Sequence, residues 1–284
     1  LNLYIIKMKF SCNQDTFSKY LNIVSRVVSN KPGLPILNNV FFSTEKGKLI
    51  MRSTDLELSI TTWIGADIED DGQVTLPAKQ LAEFVNSIPE ERVDVNVEKQ
   101  NFNISTENNS ASFNTMPADD FPNIPSIDKG VEPFIKLNKA DLLLAINRVA
   151  FAAATDDIKP VLTGVKVEVD DDEISFVATD GLRLSRQIIN TTKGSPKKEF
   201  LVPVRAFSEL AYIIGEMSKD DDTVSVYMIE DKNQVLFRVG DIDLISRLID
   251  GEFPEYRQII PTGFKTKCEI ERDEFMNSLK IVNI

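Results

Sequence analysis

The sequence predicts an α+β fold built by internal duplication, and three observations carry that prediction. A short run occurs twice in one register: Ser53-Thr54-Asp55-Leu56-Glu57-Leu58-Ser59 returns as Ala178-Thr179-Asp180-Gly181-Leu182-Arg183-Leu184-Ser185. Upstream, Leu34-Pro35-Ile36-Leu37 returns as Lys159-Pro160-Val161-Leu162, and both shifts are 125 positions (55 to 180, 34 to 159). Two matches at one shift mark a duplicated unit, and a repeat missed is a fold misread. Each copy also carries two stretches with apolar residues three and four apart, the period of a half-buried helix. Around these lie short runs of alternating apolar and polar residues bounded by turn residues, the pattern of strands. Two helices with about seven to eight strands per copy read as α+β rather than alternating β/α.

In the first copy a strand at Met8–Asn13 leads into a helix from Gln14 to Val28, whose Phe17, Leu21, Val24 and Val28 share one face. Pro32, Gly33 and Pro35 end it. Strands follow at Asn39–Ser43, Lys48–Arg52 and Leu56–Ile64, then an acidic turn at Glu69–Gly72. Val74–Pro77 precedes a second helix at Ala78–Ile88, with Pro77 placed to start it and Leu81, Phe84, Val85 and Ile88 on its apolar face. Val93–Val97, Phe102–Thr106 and Ala111–Thr115 complete the strands, and Asp120–Pro125 closes the unit.

The second copy keeps the order. A strand at Phe134–Leu137 enters a helix from Lys139 to Ala153, whose Leu142, Ile146 and Val149 stand 125 positions after Phe17, Leu21 and Val24. Strands are expected at Gly164–Val169, Ile174–Ala178 and Leu182–Ile189, with the turn Asp170–Glu173 between the first two. Phe200–Pro203 precedes a helix at Val204–Gly215, and strands at Val224–Met228, Val235–Val239 and Ile242–Leu248 follow. A third copy opens at Cys268 and places Phe275, Leu279 and Val282 on one helix face before Ile284. The units are therefore expected at 8–127, 133–261 and 264–284, the last incomplete, in a fragment of a three-repeat protein. Met8 reads as a natural start, with the first seven residues an upstream extension.

At 284 residues, 42% hydrophobic and 27% charged, the chain has the make-up of a globular protein with a core in each half. A net charge of −12 argues against a wholly basic nucleic-acid binder. It leaves open a protein that gathers cations on one face. Two cysteines, Cys12 and Cys268, make no disulfide framework and no zinc site, which fits a reducing cytoplasm. The N-terminal apolar stretch lacks the make-up of a signal peptide and the length of a membrane span.

There is no histidine, so Ser-His-Asp and Cys-His triads are excluded. Asp55 and Asp180 could be read as the carboxylates of a hydrolase. Thr-Asp between two strands is better turn chemistry, because the carboxylate bonds nearby backbone amides. The acidic runs Glu69–Asp71, Asp170–Glu173 and Asp220–Asp222 lack calcium-loop spacing, and no P-loop or GxGxxG occurs. No catalytic residue, metal or cofactor is expected. The cations Lys19, Arg26, Lys31, Lys79, Lys139, Arg148, Lys159, Arg205, Arg272 and Lys280 fall on the predicted helices or just after them, while the acidic runs fall beside strands. Exposed helix faces are routinely charged, so this alone distinguishes a binding face poorly from a solvated one.

From Met8 to its last residue the chain resembles the bacterial DNA polymerase III beta subunit family, the sliding clamps. The most specific pieces are Leu34–Asn39, Ala178-Thr179-Asp180-Gly181 with Arg183-Leu184, and Asp250-Gly251-Glu252-Phe253-Pro254-Glu255-Tyr256-Arg257. The resemblance implies tandem DNA-clamp domains, two helices packed on antiparallel sheets, closing as a head-to-tail homodimer around double-stranded DNA. It implies processivity without bond chemistry: helices meet phosphates without reading bases, as sliding requires, and the ring tethers a polymerase at the primer end. Lys31 and Arg205 match basic DNA-contacting positions of the family; Arg26, Lys79, Arg148 and Lys159 join them by their placement in helices or loops. The family's partner pocket corresponds to Leu162, Thr179, Gly181, Leu182, Arg183, Leu184, Pro254 and Ile259. A mostly apolar groove of this kind suits a short peptide with Leu and Phe anchors. Its implied users are the polymerase catalytic subunit, the clamp loader and repair polymerases. Leu182 departs from the polar or aromatic residue that relatives often carry, and Thr155-Asp156-Asp157 is acidic where relatives touch DNA. A clamp-like scaffold that only binds peptides, and a carboxylate-dependent hydrolase, are the alternatives.

Overall fold

The computed structural model describes residues 7–28, 34–128, 130–156, 158–217 and 222–283. These divide into two compact units, residues 1–251 and 252–284.

The first unit holds the first copy and the second copy as far as Gly251. Copy one runs β1 (Lys7–Asn13), α1 (Gln14–Ser25), a 3-10 turn Pro35–Asn38, β2 (Asn39–Glu45), β3 (Lys48–Thr54), β4 (Leu58–Gly65), β5 (Asp67–Asp70), β6 (Gln73–Pro77), α2 (Ala78–Ser87), β7 (Arg92–Glu98), β8 (Asn101–Ser105) and β9 (Ser110–Asn114). Copy two runs β10 (Ile135–Asn138), α3 (Lys139–Val149), 3-10 turns at Ala150–Ala152 and Pro160–Thr163, β11 (Gly164–Thr179), β12 (Leu184–Pro203), α4 (Val204–Glu216), β13 (Thr223–Ile229), β14 (Gln234–Val239) and β15 (Ile242–Arg247).

Both first helices are started by the side chain before them. Asn13 Oδ1 accepts from Thr16 N (3.0 Å), and Asn138 Oδ1 accepts from Ala140 N (2.9 Å) and Asp141 N (3.2 Å), satisfying amides that the helix cannot. Phe17, Leu21 and Val24 of α1, and Leu142, Ile146 and Val149 of α3, are buried as their spacing predicts. The helices end sooner than the periodicity suggests: α1 at Ser25, and α3 at Val149 before the 3-10 turn.

The duplication is visible in the strand registers. Asn39 pairs with Pro77 and Gly164 with Pro203; Thr54 pairs with Ser59 and Thr179 with Leu184. The acidic runs behave differently from the expected turns. Asp67–Asp70 is a strand, β5, in which Lys9 of β1 stands opposite Asp70 and ion pairs with Glu69 at 2.5 Å. Asp170–Glu173 lies inside β11, at register shifts on either side of Asp171 (φ +55). Here too opposite charge fixes the acids: Lys197 pairs with Asp170 at 2.6 Å, and Gly194 N donates to Asp171 Oδ1 at 2.8 Å.

One sheet serves both copies. Its order is β10-β13-β14-β15-β4-β3-β2-β6, with β15 of the second copy antiparallel to β4 of the first, Leu244 opposite Ile60. A five-stranded sheet, β5-β1-β7-β8-β9, and the β11-β12 pair complete the layers, and one apolar core runs through both copies. The connection between copies lies against strands of both. Phe121 stacks on Phe41 of β2 (5.3 Å between ring centres), and Ile124 is buried with Tyr227, Leu236 and Ile245. Arg238, held by Asp243 at 2.7 and 2.8 Å, donates to Ile127 O at 2.7 Å.

The second unit contains a 3-10 turn, Tyr256–Ile259, and α5 (Arg272–Val282), whose Phe275, Met276, Leu279 and Val282 are all exposed. Tyr256 is buried, its ring 6.5 Å from that of Phe253. No helix among the described residues is long and apolar enough to cross a membrane.

Candidate functional site

The run that occurs twice is a tight turn with the same hydrogen bonds in both copies. Asp55 Oδ1 accepts from Glu57 N (3.0 Å) and Leu58 N (2.8 Å), and Thr54 Oγ1 bridges Leu56 N and Leu58 O at 3.0 Å each. In the second copy Asp180 Oδ1 accepts from Leu182 N and Arg183 N at 2.9 Å, and Thr179 Oγ1 bridges Gly181 N (3.0 Å) and Arg183 O (2.7 Å). The third turn residue is left-handed in both, Leu56 at φ +80 and Gly181 at φ +89. Backbone amides of Arg183 and Leu182 hold the Asp180 carboxyl below the usual range, so it is the charged form that builds the turn. Each carboxylate is thus engaged by backbone, and Asp55 also ion pairs with Arg205.

The turn at Asp180 presents what the turn at Asp55 does not. Leu182 is 98% exposed, and Arg183, bonded to Asp180 Oδ2 at 3.0 Å, lies 5.7 Å above the ring of Phe151, itself exposed. Ala154 N donates to Leu162 O (2.8 Å), which ties the loop after Phe151 to buried Leu162. Leu162, Thr179, Gly181, Leu182, Arg183 and Leu184 therefore lie on adjoining stretches of the first unit. Pro254 and Ile259 belong to the second unit, where both are exposed.

The basic residues separate into three groups. Lys79 and Lys159 are exposed and make no ion pair among the described residues; Arg148 is exposed and donates to Gln187 Oε1 at 3.1 Å. Lys139, counted with the surface cations from its helix, is buried instead at the start of α3, where Lys139 N donates to Asp222 O (2.8 Å). Arg26 and Arg205 have acidic partners across the copies: Arg26 ion pairs with Glu209, and Arg205 with Asp55. Lys31 lies outside the described residues. The sequence reading missed Glu209 and Tyr212. Their signal was available, since Arg205, Glu209 and Tyr212 stand at i, i+4 and i+7 of one helix.

Residues 8–125 match the model of the DNA polymerase III beta subunit N-terminal domain, and residues 136–255 that of its central domain. The Synechocystis beta sliding clamp is 34% identical over 298 residues, covering 98% of this chain and 75% of its own. That of Synechococcus elongatus is 31% identical, covering 98% and 74%. Among solved structures, the Bacillus subtilis sliding clamp superposes with a TM-score of 0.89 at 25% identity, covering 96% of this chain and 73% of its own. The Thermotoga maritima beta subunit gives 0.87 at 27% identity, covering 97% and 73%. Matched over residues 8–125 and 136–255, the chain belongs to the DNA polymerase III beta subunit family, the beta sliding clamps.

Proposed function

We propose that this sliding clamp acts as a ring around duplex DNA, closed by a second copy in head-to-tail fashion, with the helices of each repeat turned toward the phosphates. The observation that carries the proposal is the pairing of β15 with β4. By the internal repeat, β9 is the counterpart of β15, and the Leu184–Ile189 stretch of β12 is the counterpart of β4. Among the described residues β9 pairs with β8 alone, and that stretch of β12 pairs with β11 alone. Each is an open edge, and an edge of this kind is a template for another strand. One repeat offers a β15-like edge where the next offers a β4-like edge, so the contact is heterologous and propagates until the rotation closes a ring.

Lys79, Arg148 and Lys159, with Lys31, are the residues we assign to phosphate. Sequence-independent, salt-sensitive contacts hold a duplex while allowing it to slide. The acidic remainder of a chain at −12 discourages adhesion elsewhere. The role places the chain with the chromosome in the cytoplasm. The domain limits that go with it are 8–127, 133–261 and 264–284.

Leu162, Thr179, Gly181, Leu182, Arg183 and Leu184, with Pro254 and Ile259, are assigned to a short peptide of the polymerase catalytic subunit, the clamp loader or repair polymerases. The exposed Leu182 and Phe151 beside Arg183 supply apolar contact and one polar anchor, the mixture such grooves use. Loading the clamp onto circular primed DNA and then linearising it tests the ring: the protein should leave over the ends, and retention on the linear product would refute encirclement.

A further inference from the structure

Two of the cations that the sequence offers to DNA already hold carboxylates of the other repeat. Arg26, just past α1, ion pairs with Glu209 of α4, and its Nη2 donates to Glu209 Oε1 at 3.3 Å. Its guanidinium carbon lies 3.9 Å from the centre of the Tyr212 ring. Arg205, at the start of α4, ion pairs with Asp55 in the turn between β3 and β4. Arg205, Glu209 and Tyr212 form one stripe of α4, and the whole stripe is turned on the first repeat. The acids are shielded, with side-chain exposures of 12% for Glu209 and 3% for Asp55. A shielded carboxylate is costly to leave without its cation, which favours both pairs, with Arg26 and Arg205 themselves 38% and 53% exposed.

We infer that Arg26 and Arg205 are positioning residues, which brace the joint between the first two repeats and set its angle rather than contacting phosphate. The two halves of the shared sheet meet at one pair of strands, β4 and β15, and can still rock about that pair, since neighbouring strands tolerate a wide range of twist. The Phe121–Ile127 connection supplies a second fastening through Phe41 and Arg238. The α4 stripe supplies a third, made through different residues of both repeats. Three separate fastenings remove the rocking freedom that the strand pair alone leaves.

The test is a charge swap read by amide hydrogen exchange, with duplex-DNA binding measured beside it. Arg26→Gln and Glu209→Gln should each speed exchange in Leu58–Gly65 and Ile242–Arg247 several-fold. The double substitution should be no faster than either single, and the swap of Arg26→Glu with Glu209→Arg should restore protection. Exchange unchanged in the single variants, or no rescue by the swap, would overturn the brace. In the second arm, Arg26→Gln and Arg205→Gln should leave the slope of log affinity against log salt unaltered. A slope shallower by about 0.9 for each would mark a lost phosphate contact and overturn the assignment. The exchange arm uses no DNA. A protein that bound no DNA would therefore sink the encirclement reading, on which only the second arm depends, and leave the brace to be judged on exchange.

Discussion

Leu56 shows what duplication leaves behind. It occupies the left-handed position that Gly181 fills in the second copy, at φ +80 against +89. That conformation costs an L-residue about 1–2 kcal/mol, and glycine loses about 0.5–1 kcal/mol of that advantage through its freer unfolded chain. Leu56→Gly should therefore stabilise the protein by up to about 1 kcal/mol, seen as a higher urea midpoint at unchanged slope. Asp180 gives a pH-dependent companion. Its folded pKa is depressed, so its contribution to the turn is complete above the ordinary carboxyl value of 3.8 and fades as pH falls through the lower folded value. An NMR titration of the side-chain carboxyl should find its midpoint below 3.8, and amide exchange at Leu182 and Arg183 should accelerate only in that acid range. The cysteines divide by burial: Cys12, inside the core, has its thiol pushed up to about 12, while Cys268 is exposed. One thiol per chain should react with a chromogenic disulfide at pH 8, and two after denaturation. At this scale the Thr-Asp turns were legible in the sequence, because they are decided by atoms within four residues of each other, as are the Asn13 and Asn138 caps that the structure adds.

At the scale of elements, legibility depended on whether a partner lay nearby. The buried faces of α1 and α3 follow from their own spacing, and all four helices of the two complete copies fall where periodicity puts them. The acidic runs were misread because their partners are remote. Glu69 meets Lys9 at a separation of 60 residues, and Asp170 meets Lys197, so stretches that look like solvated turns are strand and strand irregularity. Arg238 has both kinds of partner, one across its own hairpin and one that no local pattern reveals. It closes a bidentate pair on Asp243, only 2% exposed, and anchors Ile127. Arg238→Ala leaves that carboxylate buried and alone, so unfolding free energy should drop by about 3 kcal/mol. Adding Asp243→Asn should recover part of the loss; equal denaturation midpoints for the single and double variants would contradict the account.

For the molecule as a whole, the unit of architecture is the pair of repeats rather than the repeat. The duplication was readable from Asp55 and Asp180, but the sharing of one sheet was not. Leu244 and Ile60 pair across more than half of the chain, and neither residue carries a mark of its partner. The same limit applies to charge. Sequence places Arg26, Arg148, Lys159 and Arg205 alike on or beside helices, and only the fold separates those with remote carboxylates from those without. If Arg148 and Lys159 each meet a phosphate, Arg148→Gln with Lys159→Gln should make the salt slope of duplex binding shallower by about two. The loss should be the same for any duplex sequence, since no base edge is involved.

The connection from Ala118 to Ile127 has the make-up of a linker, with two prolines, three aspartate or asparagine residues and no regular strand. To a protease it is nonetheless a poor substrate. Cleavage requires an extended stretch of backbone to leave the surface and enter a foreign cleft. Phe121 on Phe41, Ile124 beneath Tyr227 and Ile127 under Arg238 hold this stretch at both ends and in the middle. Brief digestion should accordingly trim the chain elsewhere before it parts the repeats, and the two halves should survive or be degraded together.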